Sequence, residues 1–332
     1  MTQPAAQTQA PSSSLRLGWI GTGIMGGAIC GRLLDAGFPL TISSRSRSRA
    51  EPLLARGAHW ADSPRGVAAA SDAVFTCVGY PSDVREVVLG DDGVLAGLRP
   101  GTLLVDMTTS EPALAASIAE AAAARGVVAL DAPVSGGDVG AREGRLTVMV
   151  GGDAAAVGRL DPVWKVIALR VVHCGPPGAG QHTKLVNQIA IASTMMGVCE
   201  ALLYAHRSGL DPQRVLEAIG PGAAASWALQ NLAPRIVKGD FAPGFLVEHF
   251  LKDLGIALAE CRRMKLVLPG AALAEQLYLS AYAQGHARSG TQALALALAS
   301  LSGLDWPASA VMPVMPVMPV MPVMPADVDR SR

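Results

Sequence analysis

The chain has 332 residues, a length suited to about two domains. Half of it is apolar, 16% is charged and 4% is aromatic, so a large core of Ala, Leu and Val is expected and general disorder is excluded. With 27 basic and 27 acidic residues, it offers no electrostatic case for nucleic acid or an anionic membrane as partner.

Residues 1–14 are rich in Ala, Gln, Ser and Pro and have no apolar core, so they read as a disordered leader and not as a signal peptide. From 15 to 175, short β-like runs alternate with Ala-rich stretches. Strands are predicted over 15–20, 39–43, 73–78, 102–106, 127–130 and 146–150, and helices over 24–36, 47–56, 64–70, 82–88 and 111–125. Such alternation predicts parallel strands joined by helical crossovers: an α/β, Rossmann-type doubly wound sheet. Asp131 to Gly144 reads as a glycine-rich loop before the last strand. After Gly175-Pro-Pro-Gly-Ala-Gly180 the pattern becomes helical, over 181–208, 212–219, 224–236, 245–264, 270–287 and 290–302, so an all-α C-terminal domain is expected over 176–305.

The apolar run from Leu185 to Ala205 is long enough to raise the question of a membrane span. Asn187, Gln188 and Glu200 within it favour a buried helix between domains. In the final segment, 306–332, Val-Met-Pro repeats five times from Val311 to Pro325. Proline at every third position forbids a helix and favours polyproline II, giving either a low-complexity tail or an adhesive apolar strip.

Gly21-Thr-Gly23-Ile24-Met25-Gly26 follows the first predicted strand and opens the first predicted helix. Missing side chains there let the backbone approach a pyrophosphate, whose charge then faces the helix N-terminus. The second strand ends in Ser43-Ser44-Arg45-Ser46, where an acidic residue would grip a ribose 2′-hydroxyl. Arginine and serine at that position favour a 2′-phosphate, hence NADP over NAD; a solvated basic start to the next helix is the plainer alternative.

Further along, Lys184 shares a helix face with Asn187 and Gln188 among apolar neighbours. A partly buried lysine has a lowered pKa and can move a proton to or from an alcohol or carbonyl oxygen, which a neighbouring amide can orient. Ser135-Gly136-Gly137 offers backbone N–H groups and a hydroxyl to a carboxylate, or forms a tight turn. The cluster Thr108-Thr109-Ser110 caps the next helix or faces the nicotinamide. The six histidines have no metal-ligand spacing, no GxSxG elbow is present, and no metal site is expected. Five scattered cysteines without CxxC spacing read as reduced thiols of a cytoplasmic protein.

With these blocks in place, the chain resembles the β-hydroxyacid dehydrogenase family, which includes 3-hydroxyisobutyrate dehydrogenases and semialdehyde reductases, over about 15 to 305. The resemblance is carried by the glycine turn, by Ser44-Arg45-Ser46, by Asp131-Ala-Pro133-Val-Ser135-Gly136-Gly137, by Gly178-Ala-Gly180 with Lys184 and Asn187, and by Lys252-Asp253. It implies NADP-dependent hydride transfer to or from a small 3-hydroxy or semialdehyde acid. Lys184 would be the general acid/base, Asn187 would hold the substrate oxygen, Ser135 to Gly137 would bind the carboxylate, and Lys252 would close over substrate and cofactor. It also implies a homodimer or homotetramer formed through the helical domain. The sequence departs from the family pattern at Gln188, which replaces the second asparagine of the usual pair and lies in the substrate wall, and at Gly290, where an aspartate is usual. An imine reductase of the same architecture, which typically lacks the lysine, and a non-catalytic NADP(H)-binding protein are the competing readings.

Overall fold

The computed structural model describes residues 15–304 and 306; the predicted leader and the Val-Met-Pro repeat lie outside them. The chain opens with β1 (Leu17–Ile20), α1 (Ile24–Asp35), β2 (Leu40–Ser43), α2 (Glu51–Leu54), β3 (His59–Trp60), α3 (Pro64–Ala69) and β4 (Ala73–Thr76). It continues through α4 (Pro81–Leu89), α5 (Val94–Gly97), β5 (Leu103–Asp106), α6 (Pro112–Ala123) and β6 (Val128–Asp131). These six strands are parallel, in the order β3-β2-β1-β4-β5-β6.

Strands β1, β4 and β5 are buried at every position, because helices cover both faces of the sheet. Alternate side chains enter separate cores. Leu17, Trp19, Phe75 and Val105 enter one, and Ile20, Val74 and Leu104 the other. Trp19 stacks on Phe75 with ring centroids 5.5 Å apart. Strand order reverses between β1 and β4, which opens a crevice at the carboxyl ends of both strands.

The far edge corrects the sequence reading. The expected loop from Asp131 to Gly144 holds β7 (Val134–Ser135) and α7 (Gly137–Glu143), and β8 (Leu146–Gly151) runs antiparallel to both β6 and β7. Gly136 (φ 128°) and Gly137 (φ 62°) reverse the chain directly after β7, so β8 returns in the opposite direction. Next come α8 (Ala154–Arg159), α9 (Asp161–Ile167) and the edge strand β9 (Ala168–Gly175), parallel to β8. None of these last three, nor the two-residue β3, stood out in the sequence pattern.

The long helix α10 (Ala179–Arg207) packs against β8 and α6 at its start and against the later helices beyond. By length and composition alone it could cross a membrane. Its buried Met195, Cys199 and Leu202 instead join the core of the helical half. That half comprises α11 (Pro212–Ile219), α12 (Trp227–Asn231), α13 (Ala233–Val237), α14 (Val247–Met264), α15 (Pro269–Ala281) and α16 (Leu294–Leu301). The helix expected over 224–236 is two helices, because Pro234 has no N–H to continue the first. The helix expected over 270–287 keeps α geometry only to Ala281, and a wider turn containing Gly285 at φ 93° follows. Phe250 and Tyr278 meet edge to face in this core at 4.8 Å. A Cβ on Gly290 would collide with the Gln292 side chain, whose amide is bonded to the Asp240 and Ala242 carbonyls; local packing thus accounts for the glycine there.

Candidate active site

The glycine turn lies at the crevice, and each glycine has its own reason. A Cβ on Gly21 (φ 97°) would run into the Cys77 carbonyl of the neighbouring strand end, and one on Gly26 into the Gly21 carbonyl. A Cβ on Gly23 would meet nothing within 4 Å. No protein contact requires glycine there, whereas a close ligand would. Gly23 is also the N-cap of α1 and supplies no side-chain cap, so the first N–H groups of Ile24 and Met25 face that same space. The buried hydroxyls of Thr22 and Ser110 have no hydrogen-bond partner among the described residues. These features fit a dinucleotide whose pyrophosphate sits on the α1 N-terminus.

Beside this turn, the end of β2 carries Ser44, Arg45 and Ser46. Ser44 Oγ accepts from the Thr22 backbone N–H at 3.5 Å, Ser46 Oγ lies 2.9 Å from Ser48 Oγ, and Arg45 pairs with Asp83 at 3.3 Å. Arg45 is 85% exposed, so the pair is a weak tether that leaves the guanidinium able to turn to an anion.

The start of α10 is pinned to the sheet by buried polar groups. Asp131 Oδ1 accepts from the Gly178 N–H and Oδ2 from the Gln181 N–H, both at 2.8 Å. Gln181 in turn accepts from Ser110 N at 2.9 Å and donates to the Thr108 carbonyl at 2.7 Å. The helix comes so close that a Cβ on Gly151 or Gly180 would strike Asp131. Thr108 is itself held by Asp106, which takes the Thr76 hydroxyl at 2.7 Å and the Thr108 N–H at 3.1 Å. Burial raises Asp106 to about 6 despite those bonds, and burial with the Asp106 charge pushes the Cys77 thiol up to about 12.

Less than one turn past Gln181 stands Lys184, only 7% exposed. Burial pulls its pKa down to about 8; Asp253 opposes the shift and Lys252 adds to it. Its Nζ lies 6.0 Å from the Phe245 ring centroid. Helix α14 brings the charges. Lys252 Nζ donates to the Thr109 carbonyl at 2.6 Å and lies 3.0 Å from Asp253 Oδ1, joining the helical half to the β5–α6 loop. Gln188 Nε2 donates to Asp253 Oδ2 at 2.7 Å, and Asn187 Nδ2 donates to Gln188 Oε1 at 2.8 Å.

Lys184, Asn187, Gln188, Lys252 and Thr109 therefore form one cluster. Ser135 to Gly137 approach it through Gly244, whose carbonyl would lie 3.6 Å from a Cβ on Gly137 and whose neighbour is Phe245. Arg45 and Ser46 lie apart, beyond the glycine turn. Sequence reasoning passed over the cross-cleft pair of Tyr80 and His249, with rings edge to face at 6.0 Å, and over Phe245. It also left Asp131 and Gln181 without a structural role. A polar residue on the apolar face of a predicted buried helix, as Gln181 is, was the available signal.

Residues 16–175 match the NAD-binding domain of 6-phosphogluconate dehydrogenase, and residues 178–298 match the NAD-binding family of NADP-dependent 3-hydroxyisobutyrate dehydrogenase. The chain is 54% identical over 298 residues to the probable mitochondrial 3-hydroxyisobutyrate dehydrogenase-like 1 protein of Arabidopsis thaliana, covering 90% of this chain and 89% of that protein. It is 37% identical to the 2-hydroxy-3-oxopropionate reductase of Escherichia coli, with 86% and 97% covered. The structure of Mycobacterium tuberculosis 3-hydroxyisobutyrate dehydrogenase with L-serine superimposes with a TM-score of 0.79 at 30% identity, covering 86% of this chain and 99% of that one.

Proposed function

This chain belongs to the β-hydroxyacid dehydrogenase family and is an NAD(P)-dependent hydroxyacid dehydrogenase, and from that premise we propose a lysine-assisted, NADP(H)-linked interconversion of a small 3-hydroxy acid and its semialdehyde acid. The observation that carries the reading is the buried Lys184, with its pKa lowered to about 8, on a helix pinned to the sheet at the end of β6. Residues 15–175 hold the cofactor, and residues 176–305 complete the substrate site and join copies of the chain.

Bound nicotinamide supplies or accepts the hydride at the substrate carbon. In the reductive direction the Lys184 ammonium stabilises the charge growing on the carbonyl oxygen and gives it a proton, leaving neutral Lys184 to be reprotonated from water. Asn187 holds the same oxygen. The Ser135 hydroxyl and the N–H groups of Gly136 and Gly137 receive the substrate carboxylate, a role supported by the positive φ of both glycines. Lys252 bridges the two halves over substrate and cofactor. NADP over NAD rests on Arg45 flanked by Ser44 and Ser46, with no carboxylate among those three residues. Homodimers or homotetramers are supported by exposed Tyr204, Trp227 and Val267 on the helical half. The unpaired cysteines support a reducing, cytoplasmic setting.

The test is oxidation of NADPH, with NADH in parallel, by a panel of small semialdehyde acids and cyclic imines, using wild type and Lys184→Ala. We expect turnover of an aldehyde acid with NADPH preferred, and a loss of about a hundredfold or more in the variant. Reduction needs protonated Lys184, so its rate should fall as pH rises through about 8. Turnover of imines alone, or a variant as fast as wild type, would overturn this mechanism.

A further inference from the structure

Gln188 is 1% exposed, and its amide lies between two partners of different kinds. On one side is Asp253, a carboxylate that can only accept while ionised, so Gln188 must turn Nε2 toward it; the contact is 2.7 Å. That choice places Oε1 toward Asn187, and an oxygen there can only accept. Asn187 must therefore present Nδ2, at 2.8 Å. The orientation of both amides follows from Asp253. With Nδ2 committed, Asn187 can offer the cleft only its Oδ1 and its second N–H. On its other side, Asp253 Oδ1 has Lys252 Nζ at 3.0 Å as an ion-pair partner without hydrogen-bond geometry, while that ammonium donates to the Thr109 carbonyl.

We propose that Gln188 is a positioning residue that carries the polarity of Asp253 to Asn187, and so sets which edge of the Asn187 amide meets the substrate oxygen. The inference rests on the lysine-assisted reaction proposed above. It gives Gln188 a task beyond the wall contact with substrate expected from the sequence. The Lys252 ammonium beside Asp253 also reaches the Thr109 carbonyl across the cleft.

The experiment is a double-mutant cycle with Gln188→Met, which keeps the length but removes both polar atoms, and Asn187→Ala. Turnover and KM are read with the best aldehyde acid of the panel, and the NADPH Kd by fluorescence. Gln188→Met should lower kcat about tenfold or more with NADPH affinity within about twofold of wild type, and the double variant should be no slower than Asn187→Ala alone. Wild-type kcat in Gln188→Met, or losses that multiply in the double variant, would overturn the proposal.

Should Gln188→Met fail to fold, Gln188→Glu decides. While protonated, the introduced carboxyl group still donates to Asp253 and accepts from Asn187; once ionised, it repels Asp253. The groups facing the pair are Lys184 on α10, and His249, Lys252 and Asp253 on α14. The Gln188→Glu variant should approach wild-type kcat at low pH and fall away faster than wild type as pH rises, whereas a profile parallel to wild type would refute the positioning role. Absence of any Lys184-dependent turnover in the wild type would withdraw the reaction itself and this proposal with it. Lys184-dependent turnover with an indifferent Gln188 would overturn positioning alone.

Discussion

The three glycines of the first turn look alike in the sequence, yet their surroundings give them different tasks. Gly26 lies against the Gly21 carbonyl and Trp19, so a methyl group there has no room; Gly23 borders open space at an ordinary φ of −68°. Gly23→Ala should therefore fold with a Tm within a few degrees of wild type and lose NADPH affinity by about tenfold or more. Gly26→Ala should lose stability first, by about 1–3 kcal/mol. Thermal melts and cofactor titration of both variants measure this. A Gly23→Ala variant that binds NADPH as wild type does would remove the pyrophosphate from that turn. Lys184 is the corresponding case among the charged residues. Its burial costs stability while it is protonated, and the same burial lowers its pKa to about 8, a value suited to the proton donor proposed above.

At the level of elements, what matters is how α10 is held. A helix start leaves backbone N–H groups without partners, and here Asp131 at the end of β6 supplies both acceptors, for Gly178 and Gln181. Asp131 is thus a clamp that sets where Lys184 stands. Asp131→Ala should cost about 3 kcal/mol by leaving those donors buried and unpaired, and should lower kcat because the lysine loses its fixed base. Asp131→Asn keeps one acceptor oxygen and should fall in between. Denaturant unfolding and turnover measured on both variants test the clamp; an alanine variant of wild-type stability would show that the cap does not hold the helix. The sequence placed the main sheet strands within a few residues, because four-residue apolar runs between helical stretches are a strong pattern. It did not place β7, α7 or β9. Those elements are short or lie at an edge, and the positive-φ glycines that shape them read equally well as loop.

On the scale of the whole molecule, the sheet half carries the glycine turn and the Ser135 to Gly137 reversal, and the helical half brings α14 to it. Lys252 to Thr109 and Tyr80 to His249 join α14 to the sheet half, beside the bonds that Asp131, Ser110 and Thr108 make with the start of α10. Tyr204, Trp227 and Val267 are 76%, 68% and 83% exposed on the helical half, and the association proposed above would cover them. Light scattering on the full chain should give two or four copies, and a monomer at micromolar concentration would remove the association proposed for the helical half.

The sequence by itself determined the class of fold, the glycine turn that opens α1 and a lysine buried within a long helix, because each is written in a local pattern: alternating apolar runs, glycines at fixed spacing, and a charged side chain within an apolar helix. Only the tertiary structure decided which polar groups serve that lysine. Asp131, Gln181 and Asp253 lie 53, 3 and 69 residues from it in the chain, and only folding brings the first and last to it. Hydrogen-bond direction along Asp253, Gln188 and Asn187 depends on contacts made across a helix pair. Spacing along a chain carries no record of such contacts, since burial and donor–acceptor pairing arise only when distant segments pack.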